Sequence, residues 1–303
     1  MARIVCVGLA CLDHLFKVAH LPAGGGKTFA ENYVAAPGGP AAAASIAAAA
    51  LGHDAVFLGR LGDDDIGREL AARMARCGVE VSGIRYIKGR SSQVSSVVVD
   101  QNGERQIINF SSRHLDPDPS WIPEKIIAGA DFVLTDVRWP EGAEEALKRA
   151  RQHRVPSLID ADISPVDTSH LIGLADYAVF SEKGLQMYSD EGDIEKGLQS
   201  AHHKSGAWVA VTAGDKGSYW LDEKGVICSC PAEKVEAIDT CGAGDVFHGA
   251  FAAALVEKMN VEDAMRFAGA TAALKCLSFG GSLGTPERTA VDTFLKRPGG
   301  DSS

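Results

Sequence analysis

Short apolar runs that end in glycine or a polar residue recur along the chain, and most are followed by a segment with helical spacing. The first, Arg3-Ile4-Val5-Cys6-Val7-Gly8, has the unbroken apolar character of a strand buried on both faces of a parallel sheet. The pattern then changes to alternation at Leu12–Val18 and Phe29–Val34, with a glycine-rich turn between, which predicts a half-exposed antiparallel pair. Ala41–Leu51 is almost pure alanine and predicts a helix packed so closely that only small side chains fit. Val56–Gly59 predicts another buried strand, and Gly67–Cys77 a helix ended by Gly78.

Alternation returns over Ile84–Phe110, with Gln101-Asn102-Gly103 as a hairpin turn. Beyond it, strands at Phe132–Thr135, Ser157–Asp160, Tyr177–Phe180 and Trp208–Thr212 interleave with helices at Ala143–His153 and Ile194–Lys204. That order predicts a doubly wound α/β core with a mostly parallel sheet. The alternating segments read as insertions forming a small β-sheet. The expected division is a core of 1–12, 38–83 and 114–297, a β lid of 13–37 and 84–113, and a flexible tail at 298–303.

Composition narrows the class. The chain has 303 residues, 46% hydrophobic and 23% charged, which supports a sizeable globular core. Its apolar stretches are too short to span a bilayer, and Asp13 interrupts any leader-like region, so the expected location is cytoplasmic, away from membranes. Seven cysteines without a C-x-x-C pair point to reduced thiols, and Cys228-Ser-Cys230 lacks the second pair that a zinc site needs. A net charge of −10 opposes nucleic acid, whereas a small anion needs only a local basic cluster.

Candidate chemistry concentrates in Asp239-Thr240-Cys241-Gly242-Ala243-Gly244-Asp245, directly before the helix-forming run Val246–Val256. Small residues at Gly242, Ala243 and Gly244 let backbone N–H groups converge at a helix start, where an anion is stabilised. Asp245 then lies in the first helical turn, placed to accept a hydroxyl proton while those N–H groups hold a transferring phosphoryl group. A well-capped helix start is the plain alternative. Three more glycine turns accompany it: Pro37-Gly38-Gly39-Pro40, Gly59-Arg60-Leu61-Gly62-Asp63-Asp64-Asp65-Ile66-Gly67, and Val211-Thr212-Ala213-Gly214-Asp215-Lys216-Gly217.

In this order the four turns resemble the ribokinase-like, or PfkB, carbohydrate kinases, over essentially the whole chain. The resemblance implies a three-layer α/β/α core with a small β lid, ATP and Mg²⁺ as cofactors, and a sugar substrate. It also implies that Gly38 and Gly39 contact the sugar, Asp13 binds its hydroxyls, Asp245 is the base, and Thr212, Gly214 and Gly217 hold the nucleotide. The lid of such kinases often supports a homodimer. Two departures stand out. Ala41–Ala44 occupies the stretch where the family usually has an asparagine, and only Ser181-Glu182-Lys183-Gly184 represents the family's Asn-x-x-Glu. Glu182 is expected to orient water around Mg²⁺, with no direct protein ligand assigned to the metal.

Within such a fold, Lys27, Asn109 and Arg138 can converge over the end of the sugar remote from Asp245, a donor set that suits a tetrahedral anionic group. Arg60–Asp65, Ile107-Ile108-Asn109, Asp136-Val137-Arg138-Trp139 and Asp245-Val246-Phe247-His248-Gly249 are similar to the bacterial sulfofructose kinases of this family, which phosphorylate 6-deoxy-6-sulfofructose at its 1-hydroxyl in sulfoquinovose breakdown. The resemblance places the sulfonate on Lys27, Asn109 and Arg138. Fructose 6-phosphate or another phosphosugar, then a neutral sugar as in fructokinase or ribokinase, are the alternative substrates. A non-catalytic sugar-binding regulator is a more remote one. His248, one helical turn from Asp245, reads as packing. Gly24-Gly25-Gly26-Lys27-Thr28 imitates the end of a Walker A loop, but Leu21 stands where its first glycine belongs and no helix pattern follows.

Overall fold

The structure is a computed structural model describing residues 1–111 and 115–296, so the expected tail at 298–303 and the boundary at 113/114 fall outside the described residues. In chain order the elements begin β1 (Arg3–Gly8), β2 (Cys11–Lys17), β3 (Asn32–Gly38), α1 (Pro40–Ala50), β4 (Asp54–Gly62), α2 (Asp65–Arg76), β5 (Ile84–Ile87), β6 (Val94–Val99) and β7 (Arg105–Phe110). They continue α3 (Glu124–Ala128), β8 (Phe132–Asp136), α4 (Pro140–His153), β9 (Ser157–Ala161), α5 (Ser169–Ile172), β10 (Tyr177–Ser181), α6 (Glu182–Ser189), α7 (Ile194–Ser205) and β11 (Trp208–Thr212). The chain closes with β12 (Ser218–Leu221), β13 (Ile227–Cys230), α8 (Ala243–Val256), α9 (Val261–Lys275) and α10 (Arg288–Leu295).

Nine strands form the large sheet in the order β13-β12-β11-β10-β9-β8-β1-β4-β5. From β11 to β5 every neighbouring pair is parallel, and β12 and β13 add antiparallel pairings at one edge. The apolar runs become strands because β1, β8 and β9 are almost wholly buried under helices on both faces. On one face α1 packs against α8: a side chain at Gly249 would lie 2.3 Å from the Ala44 carbonyl, so the two backbones touch and the alanine stripe is required. Parallel strands feeding helices in this way leave their C-terminal ends open as a crevice, where α/β proteins bind ligands.

A second sheet, ordered β3-β2-β6-β7, stands over that crevice. β2 pairs antiparallel with β3 as the alternation predicts, although β3 starts at Asn32 and leaves exposed Phe29 outside it. β6 and β7 form the expected hairpin, with Asp100 accepting from the N–H groups of Asn102 and Glu104 in its turn. One expectation changes: Ile84–Ile87 pairs in parallel with β4 and belongs to the large sheet, so the second lid segment begins only at Val94. A short run of alternating pattern fits either sheet, and the long-range pairing with β4 decides.

Candidate active site

The turn at Asp239–Asp245 is built as its glycines require. Gly242 sits at φ 76° as the N-cap of α8, a left-handed conformation that disfavours side chains, and Val246 N–H donates back to its carbonyl at 2.9 Å. Ala243, Gly244 and Asp245 are then the first residues of the helix; the Ala243 N–H donates to the Thr240 carbonyl at 3.3 Å, and those of Gly244 and Asp245 have no partner within the helix. A side chain at Gly244 would meet nothing within 4 Å, so the turn opens onto free space. Asp245 is half-buried beside it, and among the described residues no hydrogen bond reaches its carboxylate.

Three other carboxylates surround Asp245: those of Asp136, Asp160 and Asp13. Asp136 ends β8, is wholly buried, and accepts from the N–H groups of Leu9 (2.8 Å), Arg138 (2.8 Å) and Ala41 (3.1 Å). Gly8 makes room for it, because any side chain there would clash with its carboxylate. Asp160 lies near the end of β9, and its Oδ2 is 3.1 Å from Nδ1 of buried His248, one turn along α8. Donor atoms of Asp160, Asp245 and His248 all lie within 4.8 Å of one another. Burial and the Asp160 charge push the Asp245 carboxyl up to about 7, with Asp136 and Asp13 adding to the rise and His248 opposing it. Burial depresses the His248 imidazole, but Asp160 outweighs it and the net shift is upward. A carboxylate with this affinity for a proton, next to an open anion turn, is suited to general-base work near neutral pH.

Asp13 lies in β2 with its carboxyl raised by burial, against the lowering effect of the Cys11 thiol that donates to it at 3.2 Å. Gly38 is where the Asp13 carboxylate rests: a side chain there would come within 1.9 Å of it. Gly39, at φ 93°, caps α1, and a side chain there would lie 2.6 Å from the Leu9 carbonyl. Across the lid, Ala36, Asp13, Ser95 and Asn109 form one row of directly opposed residues, so Asn109 shares the face of Asp13. On that face Leu15, Ala36, Val97 and Val99 pack with Cys241 of the anion turn. Arg105 of the hairpin also donates to the Thr240 hydroxyl at 2.5 Å.

Among the described residues no hydrogen bond or ion pair joins the three residues expected to share an anionic group. Lys27 is exposed in the segment between β2 and β3, without hydrogen bond or ion pair among the described residues, and Asn109 is exposed as well. Arg138 is half-buried and paired with Asp162 at 2.6 Å. On the nucleotide side, Thr212 ends β11 and Gly214 opens a short 3-10 turn onto free space. Gly217 is needed for packing, because a side chain there would lie 2.1 Å from the Cys230 carbonyl. Glu182, the first residue of α6, is exposed and bound to Lys216 of that turn at 2.9 Å.

Sequence reasoning missed Asp136, Asp160 and the part played by His248. The available signal was positional: both aspartates fall at the C-terminal ends of predicted parallel strands, the edge on which the crevice opens. The Gly59–Gly67 turn has a structural part. Asp64 caps α2 by accepting from Gly67 N–H (2.8 Å) and ties down Ser92, whose N–H also donates to it at 2.8 Å. Arg60 stacks on Trp139, 4.3 Å from the ring centroid.

Known proteins resemble this chain over nearly its whole length. The pfkB family carbohydrate kinase profile matches residues 1–288. A ribokinase of Haemophilus influenzae is 27% identical over 301 residues, covering 97% of this chain and 98% of its own, and one of Bacillus subtilis is 28% identical over 299 residues, covering 97% and 100%. Among solved structures, one from Agrobacterium tumefaciens superposes with a TM-score of 0.93 at 35% identity, covering 98% of this chain and 99% of that one. Arabidopsis thaliana ribokinase, solved with ribose and ATP, gives 0.83 at 26% identity, covering 98% and 99%. With the family profile spanning nearly every element around the anion turn, the chain belongs to the pfkB family of carbohydrate kinases.

Proposed function

We propose that this kinase transfers the terminal phosphoryl group of ATP to the 1-hydroxyl of 6-deoxy-6-sulfofructose, with Asp245 as the general base. The observation that carries the reading is the packing of the lid's inner face, with Asp13 and Asn109 in one row, onto Cys241 of the anion turn. A sugar held under that face has its hydroxyls at Asp13 and Gly39, and its far end reaches towards Asn109, Lys27 and Arg138. The attacking oxygen forms a bond to the terminal phosphorus as the bond to ADP breaks, and its proton passes to Asp245. N–H groups of Gly242 and Gly244, joined by that of Ala243 once it leaves the Thr240 carbonyl, offset the charge gathered on the phosphoryl oxygens.

The nucleotide side fits ATP in its donor set. Gly214 and Gly244 leave open space beside backbone N–H groups, and Thr212 and Gly217 frame the same turn. Mg²⁺ would neutralise phosphate charge there. Glu182 would hold its water, once Lys216 is drawn off it towards phosphate.

A sulfonate carries one negative charge, which one Lys and one Arg suit without excluding the larger charge of a phosphate monoester. Ribose is the second reading, favoured by the names of the Haemophilus and Bacillus relatives and by the Asp162 ion pair that already engages Arg138. Initial rates with sulfofructose, fructose 6-phosphate, fructose and ribose, measured side by side, decide between them: the proposal expects the highest kcat/KM for sulfofructose, and a preference for any of the others overturns the sulfonate assignment. The outer lid face, where Phe16, Tyr33, Val98, Ile108 and Phe110 alternate with the inner residues, suits a second copy of the chain. The proposed homodimer predicts that Ile108→Asp gives a monomer by light scattering; an unchanged mass refutes it. A cytoplasmic location is part of the same proposal; no described helix is long and apolar enough to cross a membrane.

A further inference from the structure

Lys275 ends α9 with its side chain at 0% exposure, on a helix whose buried positions are otherwise Ala264, Met265, Phe267, Ala268, Ala270 and Thr271. An ammonium group removed from water is strongly destabilising unless it is paired and hydrogen-bonded. Its partner is Asp239, the first residue of the phosphoryl-transfer run. Nζ donates to the Asp239 main-chain carbonyl at 2.7 Å and lies 3.5 Å from its Oδ2. The Asp239 carboxylate, also fully buried, accepts from the N–H groups of Cys241 (2.8 Å), Gly280 (3.0 Å) and Gly281 (2.8 Å). Ser282 then donates to the Pro37 carbonyl at 2.5 Å, one residue before Gly38. One buried ion pair therefore joins the anion turn, the end of α9 and the glycine turn under Asp13.

We propose that Lys275 is a positioning residue for phosphoryl transfer, a cation built into the protein that holds the anion turn in shape. Two effects follow from its place. Its grip on both the carbonyl and the carboxylate of Asp239 fixes the backbone just ahead of Cys241 and Gly242, where the turn begins to aim its N–H groups. Its charge also offsets that of Asp239, which would otherwise oppose the negative charge gathering at the turn during transfer. A cation supplied by the chain occupies the carbonyl and carboxylate that a free cation would use, so turnover should not depend on which monovalent salt is present. The inference rests on the phosphoryl-transfer reading but not on the identity of the sugar.

The test uses the full chain with its best acceptor, saturating Mg·ATP, and chloride salts of potassium, ammonium, sodium or tetramethylammonium as probes. Wild-type turnover is expected to be the same in all four at equal ionic strength. Lys275→Met is expected to lose about 100-fold in kcat, with far less change in the KM for ATP, as misaimed groups do. Ammonium or potassium should restore part of that loss, and tetramethylammonium, too large for the vacated place, none. A purely structural lysine gives the opposite: a lowered Tm, kcat per folded molecule near wild type, and no response to added cation, which overturns the proposal. Should Lys275→Met fail to fold, Lys275→Gln and the wild-type salt comparison decide, since wild-type turnover that rises severalfold with potassium over tetramethylammonium also overturns it. Failure of the phosphoryl-transfer reading itself would show differently, as absence of ADP formation by the wild type with every acceptor.

Discussion

Two aspartates at opposite ends of one short motif, Asp239 and Asp245, have opposite surroundings. Asp239 is fully buried and meets three backbone N–H groups and the Lys275 ammonium. Asp245 is half-buried, receives no hydrogen bond among the described residues, and faces Asp13, Asp136 and Asp160. The first carboxylate is held by hydrogen bonds and a cation; the second is raised to about 7 by burial and by the like charges around it. The contrast separates a residue that shapes the turn from one that can react on it.

The largest effect should come from the reactive member. Asp245→Asn is expected to lower kcat roughly 10²–10⁴-fold while ATP binding, followed by calorimetry, is retained. The sign of its stability effect is also set: a carboxyl raised above its ordinary 3.8 penalises the ionised fold, and that penalty is absent at low pH and complete above about 7. Asp245→Asn should therefore raise Tm at pH 8 and leave it unchanged near pH 4. Lowered stability at pH 8 would mean that Asp245 belongs with Asp239. Asp239→Ala should do the reverse, costing about 3–5 kcal/mol in urea unfolding by stranding buried Lys275. A variant as stable as wild type would dissolve the distinction.

Arg138, paired with Asp162, tests where a second ion pair falls between these extremes. If it binds the acceptor's anionic end, Arg138→Gln raises the KM for sulfofructose by about 10–100-fold and leaves that for fructose nearly unchanged. If its bond to Asp162 is purely structural, as the grip of Lys275 on Asp239 would be without the proposed role in transfer, the thermal midpoint falls and the two KM values move together.

The sequence exposed the fold well because buried parallel strands read as unbroken apolar runs and the lid strands as alternation, two patterns set by local periodicity. It exposed the turn at Gly242–Asp245 for a similar reason, since a left-handed glycine and a helix start are local features. What it concealed depends on pairing across the chain. Ile84–Ile87 carries no mark of the sheet it joins, and nothing near Lys275 announces that Asp239 will face it. Asp136, Asp160 and His248 come from two strands and a helix, and their charges become one electrostatic unit only when the sheet is assembled. The same limit applies to Arg138 and Glu182: their motifs were visible, while the ion pairs with Asp162 and Lys216 were not.

The most direct test of Asp245 as the base is the pH dependence of kcat/KM for the best sugar, in the wild type and in Asp160→Asn. With Asp245 in that role, activity falls on the acid side through one ionisation near 7, and the limb moves to lower pH when the Asp160 charge is removed. A limb that stays in place in Asp160→Asn, or a wild-type profile flat through neutral pH, would contradict the assignment.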